Sequence, residues 1–212
     1  LTVDGDVIER VSSTKYLGVL IDDHLTWAVH INHISNKLSK SIGILNRVKH
    51  FLNRETMLML YYAFIFPYLV YCFLVWGKAA QVHLSKLRIL QKRAVRVITV
   101  SHFMAHTDIL YRELKIVHFD DLYIYLCSIF IYKSIKSFFP RDFLINFNPF
   151  SSDSSRRNRN KYICPFFRTT LGQKSLKYQS VKLFNKFLEP LNIIDLCNSV
   201  PFFKKSLKSV LC

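Results

Sequence analysis

Hydrophobic and polar positions in this chain form a short alternating opening, a long helical middle and a broken, basic end. Residues 2–8 and 15–21 are β-branched runs separated by a polar Ser12-Ser13-Thr14 turn, which predicts a small β-hairpin or two adjacent strands. Asp22-Asp23 is expected to end that sheet. From residue 27 to 48, Ile31, Ile34, Leu38, Ile42 and Leu45 return every third or fourth position. Lys37, Lys40, Arg47 and Lys49 stay off that stripe, so an amphipathic helix is predicted.

Residues 56–76 carry no charged side chain, a length that would span a bilayer. Pro67 interrupts the segment, and Tyr61, Tyr62, Tyr68 and Tyr71 lie through its interior rather than at its ends. The pattern predicts buried helices kinked or divided at Pro67. A membrane-associated protein anchored by residues 57–76 is the rival reading. Residues 83–98 predict a two-faced helix: Lys86, Arg88, Lys92, Arg93 and Arg96 fall within about half of the circumference. Leu84, Leu87, Leu90, Ala94, Val97 and Ile98 occupy most of the remainder.

A short helix is expected over residues 108–115 with Asp108 as its N-cap. A longer one is expected from Asp120 to about Ser137, stopped by Phe138-Phe139-Pro140. Residues 147–160, with Pro149, a Ser-rich turn and the cluster Arg156, Arg157 and Arg159, are expected to form a linker. A strand-like passage over residues 162–171, a helix over 175–188 and an amphipathic helix over 202–211 complete the chain. The fold class is therefore mainly α: a small N-terminal β-hairpin, a helical bundle and a basic α-rich tail. The domains expected are 1–26, 27–146, a basic linker at 147–160, and 161–212 with two short helices.

Charge narrows the partner. The chain has 212 residues and a formal net charge of +16, a surplus that points to a polyanion such as nucleic acid. No acid occurs over residues 56–107 or 154–188, so phosphate contacts are expected there. The cysteines Cys72, Cys127, Cys164, Cys197 and Cys212 are widely spaced and read as reduced core residues, without zinc-ligand spacing. His30 and His33 share a helix face, and the expectation for them is a solvated or capping pair rather than a metal site.

Polymerase chemistry needs paired carboxylates on a tight turn to hold divalent metal ions. The pairs Asp22-Asp23 and Asp120-Asp121 are not expected to do so: the first follows Tyr16-Leu17-Gly18 without the usual preceding aromatic, and the second opens a helix whose first turn favours acids. No Gly-rich phosphate loop, G-x-S-x-G elbow or H-E-x-x-H helix is present. No catalytic residue and no metal ligand is assigned.

Several motifs occur in an order that carries more information than any one of them. Lys15-Tyr16-Leu17-Gly18-Val19, Asp22, Leu25-Thr26-Trp27 and His30-Ile31 resemble the sequence that follows the catalytic core of LINE-type (non-LTR) retrotransposon reverse transcriptases. The likeness continues through Tyr61-Tyr62, Pro67-Tyr68-Leu69, Tyr71-Cys72, Val75-Trp76-Gly77 and Leu90-Gln91-Lys92-Arg93-Ala94. Pro165-Phe166-Phe167-Arg168-Thr169, Leu171-Gly172-Gln173 and Phe202-Phe203-Lys204-Lys205 resemble the tail of the same reading frames.

The resemblance implies a primer-grip hairpin at the palm edge and a thumb-like bundle. The catalytic Y/F-x-D-D box of such enzymes would precede Leu1, and the palm and fingers are not in this sequence. It further implies an RNA or DNA template-primer duplex as partner and a parent RNA-directed DNA polymerase that needs Mg. This chain alone is expected to bind no cofactor and to be inactive. Tyr16, Leu17 and Gly18 would support the primer end. Arg88, Lys92, Arg93 and Arg96, with Arg156, Arg157 and Arg159, would contact phosphates. An intracellular rather than secreted location is expected, membrane association is not, and a non-functional transposon relic is a further alternative.

Overall fold

The computed structural model describes residues 9–139 and 162–211, together with the backbone of two very short strands before residue 8. The chain is mainly helical, with a small β-structure at its start. It divides into two compact units, Leu1–Cys72 with Ala79–Thr107, and Phe73–Lys78 with Asp108–Cys212.

The first unit opens with two antiparallel hairpins. Strands β1 (Thr2–Val3) and β2 (Asp6–Val7) pair with each other, and β3 (Ser13–Tyr16) pairs with β4 (Val19–Asp22). This corrects the expectation of a turn at Ser12-Ser13-Thr14. Ser13 and Thr14 lie within β3 opposite Asp22 and Ile21, and the chain reverses at Leu17-Gly18. Leu17 (φ 45°) and Gly18 (φ 84°) take the positive φ at both central positions that a type I′ reversal needs, and the physical reason it forms here is the distant Tyr71 hydroxyl, which donates to the Leu17 carbonyl.

Helix α1 (Ala28–Val48) buries the expected stripe of Ile31, Ile34, Leu38, Ile42 and Leu45, and adds His30 to it. The uncharged segment is divided rather than continuous. It forms α2 (Arg54–Phe64), α3 (Phe66–Val70) and, in the second unit, α4 (Phe73–Trp76). Asn53 caps α2 by accepting the Thr56 amide at 2.8 Å. Pro67 sits in the first turn of α3, where its missing N–H costs no helical hydrogen bond. Among the described residues no helix is long and apolar enough to cross a membrane. Tyr61 and Met57 of α2 and Leu69 of α3 are buried instead.

Helix α5 (Gln81–Ile98) completes this unit, burying Leu84, Leu87, Ala94, Val97 and Ile98 together with Gln91 and Val95. The Gln91 amide donates to the buried Tyr61 hydroxyl at 3.0 Å, so a polar side chain on the core face brings its own partner. Helices α1 and α5 run side by side in the same direction. Lys86 bonds Asn32 at 2.9 Å near their starts, and Asn46 and Lys49 lie beside Arg93 and Arg96 near their ends.

The second unit is built on α7 (Phe119–Ile135), which is apolar around nearly its whole circumference and is accordingly the central helix. Before it comes α6 (Thr107–Leu114), whose first residue belongs to the other unit; it starts one residue early, so Asp108 lies in the first turn rather than at the cap. Phe73 packs edge-on against Trp76 at 4.6 Å and Phe119 at 5.4 Å. A Cβ on Gly77 would stand 2.5 Å from the Phe73 carbonyl oxygen, which accounts for a glycine directly after Trp76.

Residues 163–167 form no strand, contrary to expectation. Instead Asn185 takes over the pairing role, accepting from the Tyr162 amide at 2.9 Å and donating to the Tyr162 carbonyl at 2.7 Å. Then follow α8 (Thr170–Lys174), α9 (Leu176–Leu183) with Ser175 as its cap, and a π-turn over Phe184–Leu188. The short helices α10 (Glu189–Leu191) and α11 (Ile193–Leu196) precede the closing helix α12 (Val200–Leu211).

Cys127 and Cys197 are buried and Cys72 is half-buried. Cys164 is exposed on the extended passage, which corrects its reading as a core residue. The linker at 147–160 lies outside the described residues. Phe203 of α12 is fully buried and stacks on Tyr132 of α7 at 4.3 Å, and Tyr132 donates its hydroxyl to the Cys197 carbonyl at 2.9 Å. Phe203→Ala is expected to cost about 3–5 kcal/mol, read as a lowered urea midpoint of unfolding.

Candidate nucleic-acid interface

The β3–β4 hairpin and its exit into α1 together carry the densest backbone strain in the first unit. Leu17, Leu25 and Trp27 all hold left-handed backbone, at φ 45°, 53° and 65°. For residues with a Cβ that conformation costs about 1–2 kcal/mol each. One carboxylate offsets much of this around Leu25 and Trp27. Asp22 accepts the Thr26 amide and hydroxyl through Oδ2, each at 2.7 Å, and the Trp27 amide through Oδ1, also at 2.7 Å. Burial works against the charge on Asp22, but these hydrogen bonds outweigh it and hold the carboxyl below the usual carboxylate range. Asp22 therefore fastens the turn that leads from the sheet into α1.

Two further ties seat the hairpin. The Tyr71 hydroxyl donates to the Leu17 carbonyl at 2.6 Å, and the Leu20 amide donates to Nδ1 of His30 at 3.3 Å. His30 is buried, so the expected solvated pair is corrected: His30 anchors β4 while His33 remains exposed. The cause is the hairpin itself, which covers the first turn of α1. With its carbonyl held from one side, the turn presents the Tyr16 and Leu17 side chains outward, 64% and 71% exposed. A pocket of about 310 Å³ adjoins the tip, lined by Gly18, His33, Lys37, Tyr68 and Tyr71 among others, with the Lys37 ammonium 5.4 Å from the Tyr68 ring centre.

The cationic face of α5 is split by the structure. Arg88 donates to Gln81 at 3.1 Å, and Lys92 is half-buried. Arg93 is exposed. Arg96 is turned inward, its Nε donating to the Ala105 carbonyl at 3.0 Å, so it secures the loop after α5. Arg93 and Arg96 meet Asn46 and Lys49 from the end of α1 in a groove of about 520 Å³. From His24 to Thr107 the sequence holds a single acid, Glu55, so the helical part of this unit is strongly basic, whereas the acids Asp4, Asp6, Glu9, Asp22 and Asp23 all lie before α1.

The structure thus brings Arg93 and Arg96 together but separates them from Tyr16, Leu17 and Gly18. About 13 residues of α1 lie between the two places, close to 20 Å at a helical rise. Arg156, Arg157 and Arg159 lie outside the described residues. Asp120 and Asp121 occupy the first turn of α7, in the other unit. Sequence reasoning placed none of Asp22, His30, Tyr71 and Lys49 among the candidate site residues. The signal for Asp22 is its spacing, four and five residues before the Thr26 and Trp27 amides it accepts.

The chain is 28% identical over 124 residues to the RNA-directed DNA polymerase from mobile element jockey of Drosophila funebris, covering 57% of this chain and 14% of that protein. It is 25% identical over 122 residues to the probable RNA-directed DNA polymerase from transposon BS of Drosophila melanogaster, covering 55% and 13%. The corresponding protein from transposon X-element of the same fly is 27% identical over 124 residues. The chain is homologous to part of the RNA-directed DNA polymerases of mobile elements. These elements are of the LINE type that the ordered motifs resemble. The match spans only 13–14% of the relatives' length. No protein-family model and no solved structure matches the chain.

Two consequences can be measured. Tyr71→Phe removes the hydroxyl that holds Leu17 and is expected to cost about 1 kcal/mol, with faster amide exchange in β3 and β4 than elsewhere. Burial, aided by His33, holds the His30 imidazole below its ordinary value of 6.5. The stability contributed by neutral His30 is full above pH 6.5 and is lost as pH falls from there through the lowered folded value. His30→Asn keeps an acceptor for the Leu20 amide and removes the titration. Its urea midpoint should fall less between pH 7 and 5 than that of the parent chain, and equal slopes would contradict the assignment.

Proposed function

We propose that this chain serves as a template-primer grip of a mobile-element reverse transcriptase, with polymerisation performed by residues not in this sequence. The observation that carries this reading is the fastened, strained hairpin tip at Leu17-Gly18, followed on the same basic unit by the cationic face of α5. Homology to RNA-directed DNA polymerases supports it. In this reading Tyr16, Leu17 and Gly18 lie against the primer end. Gly18 suits a close approach because it has no side chain, and its φ of 84° would strain any replacement.

Arg88, Lys92 and Arg93 contact backbone phosphates, joined by Lys49. Arg96 acts chiefly by fixing the loop that follows. Arg156, Arg157 and Arg159 add a second basic segment. The Mg ions of the parent enzyme belong to its catalytic carboxylates; Asp22 is committed to the Thr26 and Trp27 donors.

Phosphate contacts release counterions, so affinity must fall steeply with salt. Binding of the full chain to a primer-template duplex is expected to give a log–log salt slope of about −6, for about seven contacts. Arg93→Ala should reduce that slope by about 1. A flat salt dependence, or no binding at low salt, would refute the reading. Nucleotide incorporation by this chain alone should be undetectable in the same assay.

A further inference from the structure

The geometry points to the groove between the ends of α1 and α5 as a site for one unpaired nucleotide, its base on Phe103 and its phosphate on Lys49 and Arg93. The inference rests on the nucleic-acid reading above and specifies which form of nucleic acid this part of the surface takes. At about 520 Å³ the groove is large enough for a nucleotide-sized ligand. Lys49, Arg93 and Arg96 line it without any carboxylate. The parallel helices α1 and α5 both end here, and each C-terminus carries about half of a negative charge. Three cations exceed that requirement, so the groove keeps a positive surplus.

The second observation is Phe103, a lining residue that is 72% exposed. An aromatic side chain left this open would be unremarkable on a loose loop, but this loop is fastened at several points. Ser101 donates its amide to the Arg96 carbonyl at 3.0 Å, and the Thr99 and Ser101 hydroxyls lie 2.8 Å apart. The Ala105 amide donates to the His102 carbonyl at 2.9 Å, and the Ala105 carbonyl accepts from Arg96. His102 packs its ring against Phe103 at 4.7 Å and accepts the Met104 amide on Nδ1 at 3.3 Å. Phe103 is thus held at the rim of a cationic groove with its outer face uncovered.

Phosphates alone would need only the cations. A held aromatic adds binding energy when a base offers its face, and paired bases within a duplex do not. The combination therefore selects unpaired over paired nucleotides. The Asn46 amide, which can both donate and accept, lies within the same lining to meet a base edge.

The test measures fluorescence anisotropy of three labelled probes, a single-stranded oligonucleotide, a blunt duplex and a primer-template with an overhang, against the full chain and its variants. Phe103→Ala is expected to weaken binding to the single strand and the overhang probe by about 5- to 150-fold, leaving the blunt duplex unchanged. Phe103→Trp should preserve affinity and show fluorescence quenching on binding, beyond that of the parent chain. Arg93→Ala should weaken all three probes. Because Phe103 is exposed, unchanged thermal unfolding of its variants is expected and separates site loss from misfolding. Equal loss on all probes, or no loss on the single strand, would overturn the nucleotide site while leaving duplex gripping intact. Failure of the parent chain to bind any probe would overturn both.

Discussion

The first unit depends on one buried carboxylate. Asp22 is the last residue of β4, and its oxygens collect three donors from the five residues that follow. Hydrogen bonds to a charged acceptor are about twice as strong as neutral ones, and this set is spent where the chain is most strained, at left-handed Leu25 and Trp27. Once those residues are fixed, the direction of α1 relative to the hairpin is fixed as well. His30 then falls beneath β4, and Leu17 falls within reach of Tyr71. Neutralising Asp22 would remove the compensation but leave the strain. Its contribution to stability is complete above its ordinary value of 3.8 and is lost as pH falls through the lowered folded value, a window well below that of His30.

Periodicity made the long elements legible in the sequence. The stripe from Ile31 to Leu45 and the two faces of α5 appear where a 3.6-residue repeat puts them, because packing against a single core demands that repeat and nothing else. The division at Pro67 was legible for the same kind of reason, since a ring without an N–H belongs in the first turn of a helix. The hairpin register was not legible. Leu17-Gly18 is an atypical pair for a two-residue turn, lacking the Asn or Asp that usually marks its first position, and the polar Ser12-Ser13-Thr14 offered a more ordinary place to reverse. What overrode local preference is a contact 54 residues away, the Tyr71 hydroxyl on the Leu17 carbonyl. No window along the chain contains both residues. The passage at residues 163–167 failed for a related reason: its pairing partner is the side chain of Asn185 rather than a strand.

The site residues divide along the same line. Counting charges located α5 and gave its cations one common role, but burial and hydrogen bonding give them different ones. Arg93 is free to face a ligand, whereas Arg96 is spent on the Ala105 carbonyl and determines where Phe103 stands. Arg96→Lys would be a poor substitute in that position, since the directed Nε–H of a planar guanidinium is lost. An arginine that shapes a loop and one left open to solvent cannot be told apart from composition. Only the position of the next acceptor separates them.

The rigidity of α1 links these two levels. The hairpin tip rests on its first half through His30 and the pocket beside His33 and Lys37, and the groove is closed by Asn46 and Lys49 at its end. Because the helix is continuous, the two places cannot approach each other without breaking it. A single nucleic acid that meets both must therefore offer contacts about 20 Å apart, close to six base-pair steps of a duplex at about 3.4 Å each. Shorter ligands can satisfy the tip or the groove but not both. Under the proposed nucleic-acid reading, length as well as strandedness would then be set by the backbone geometry of this unit.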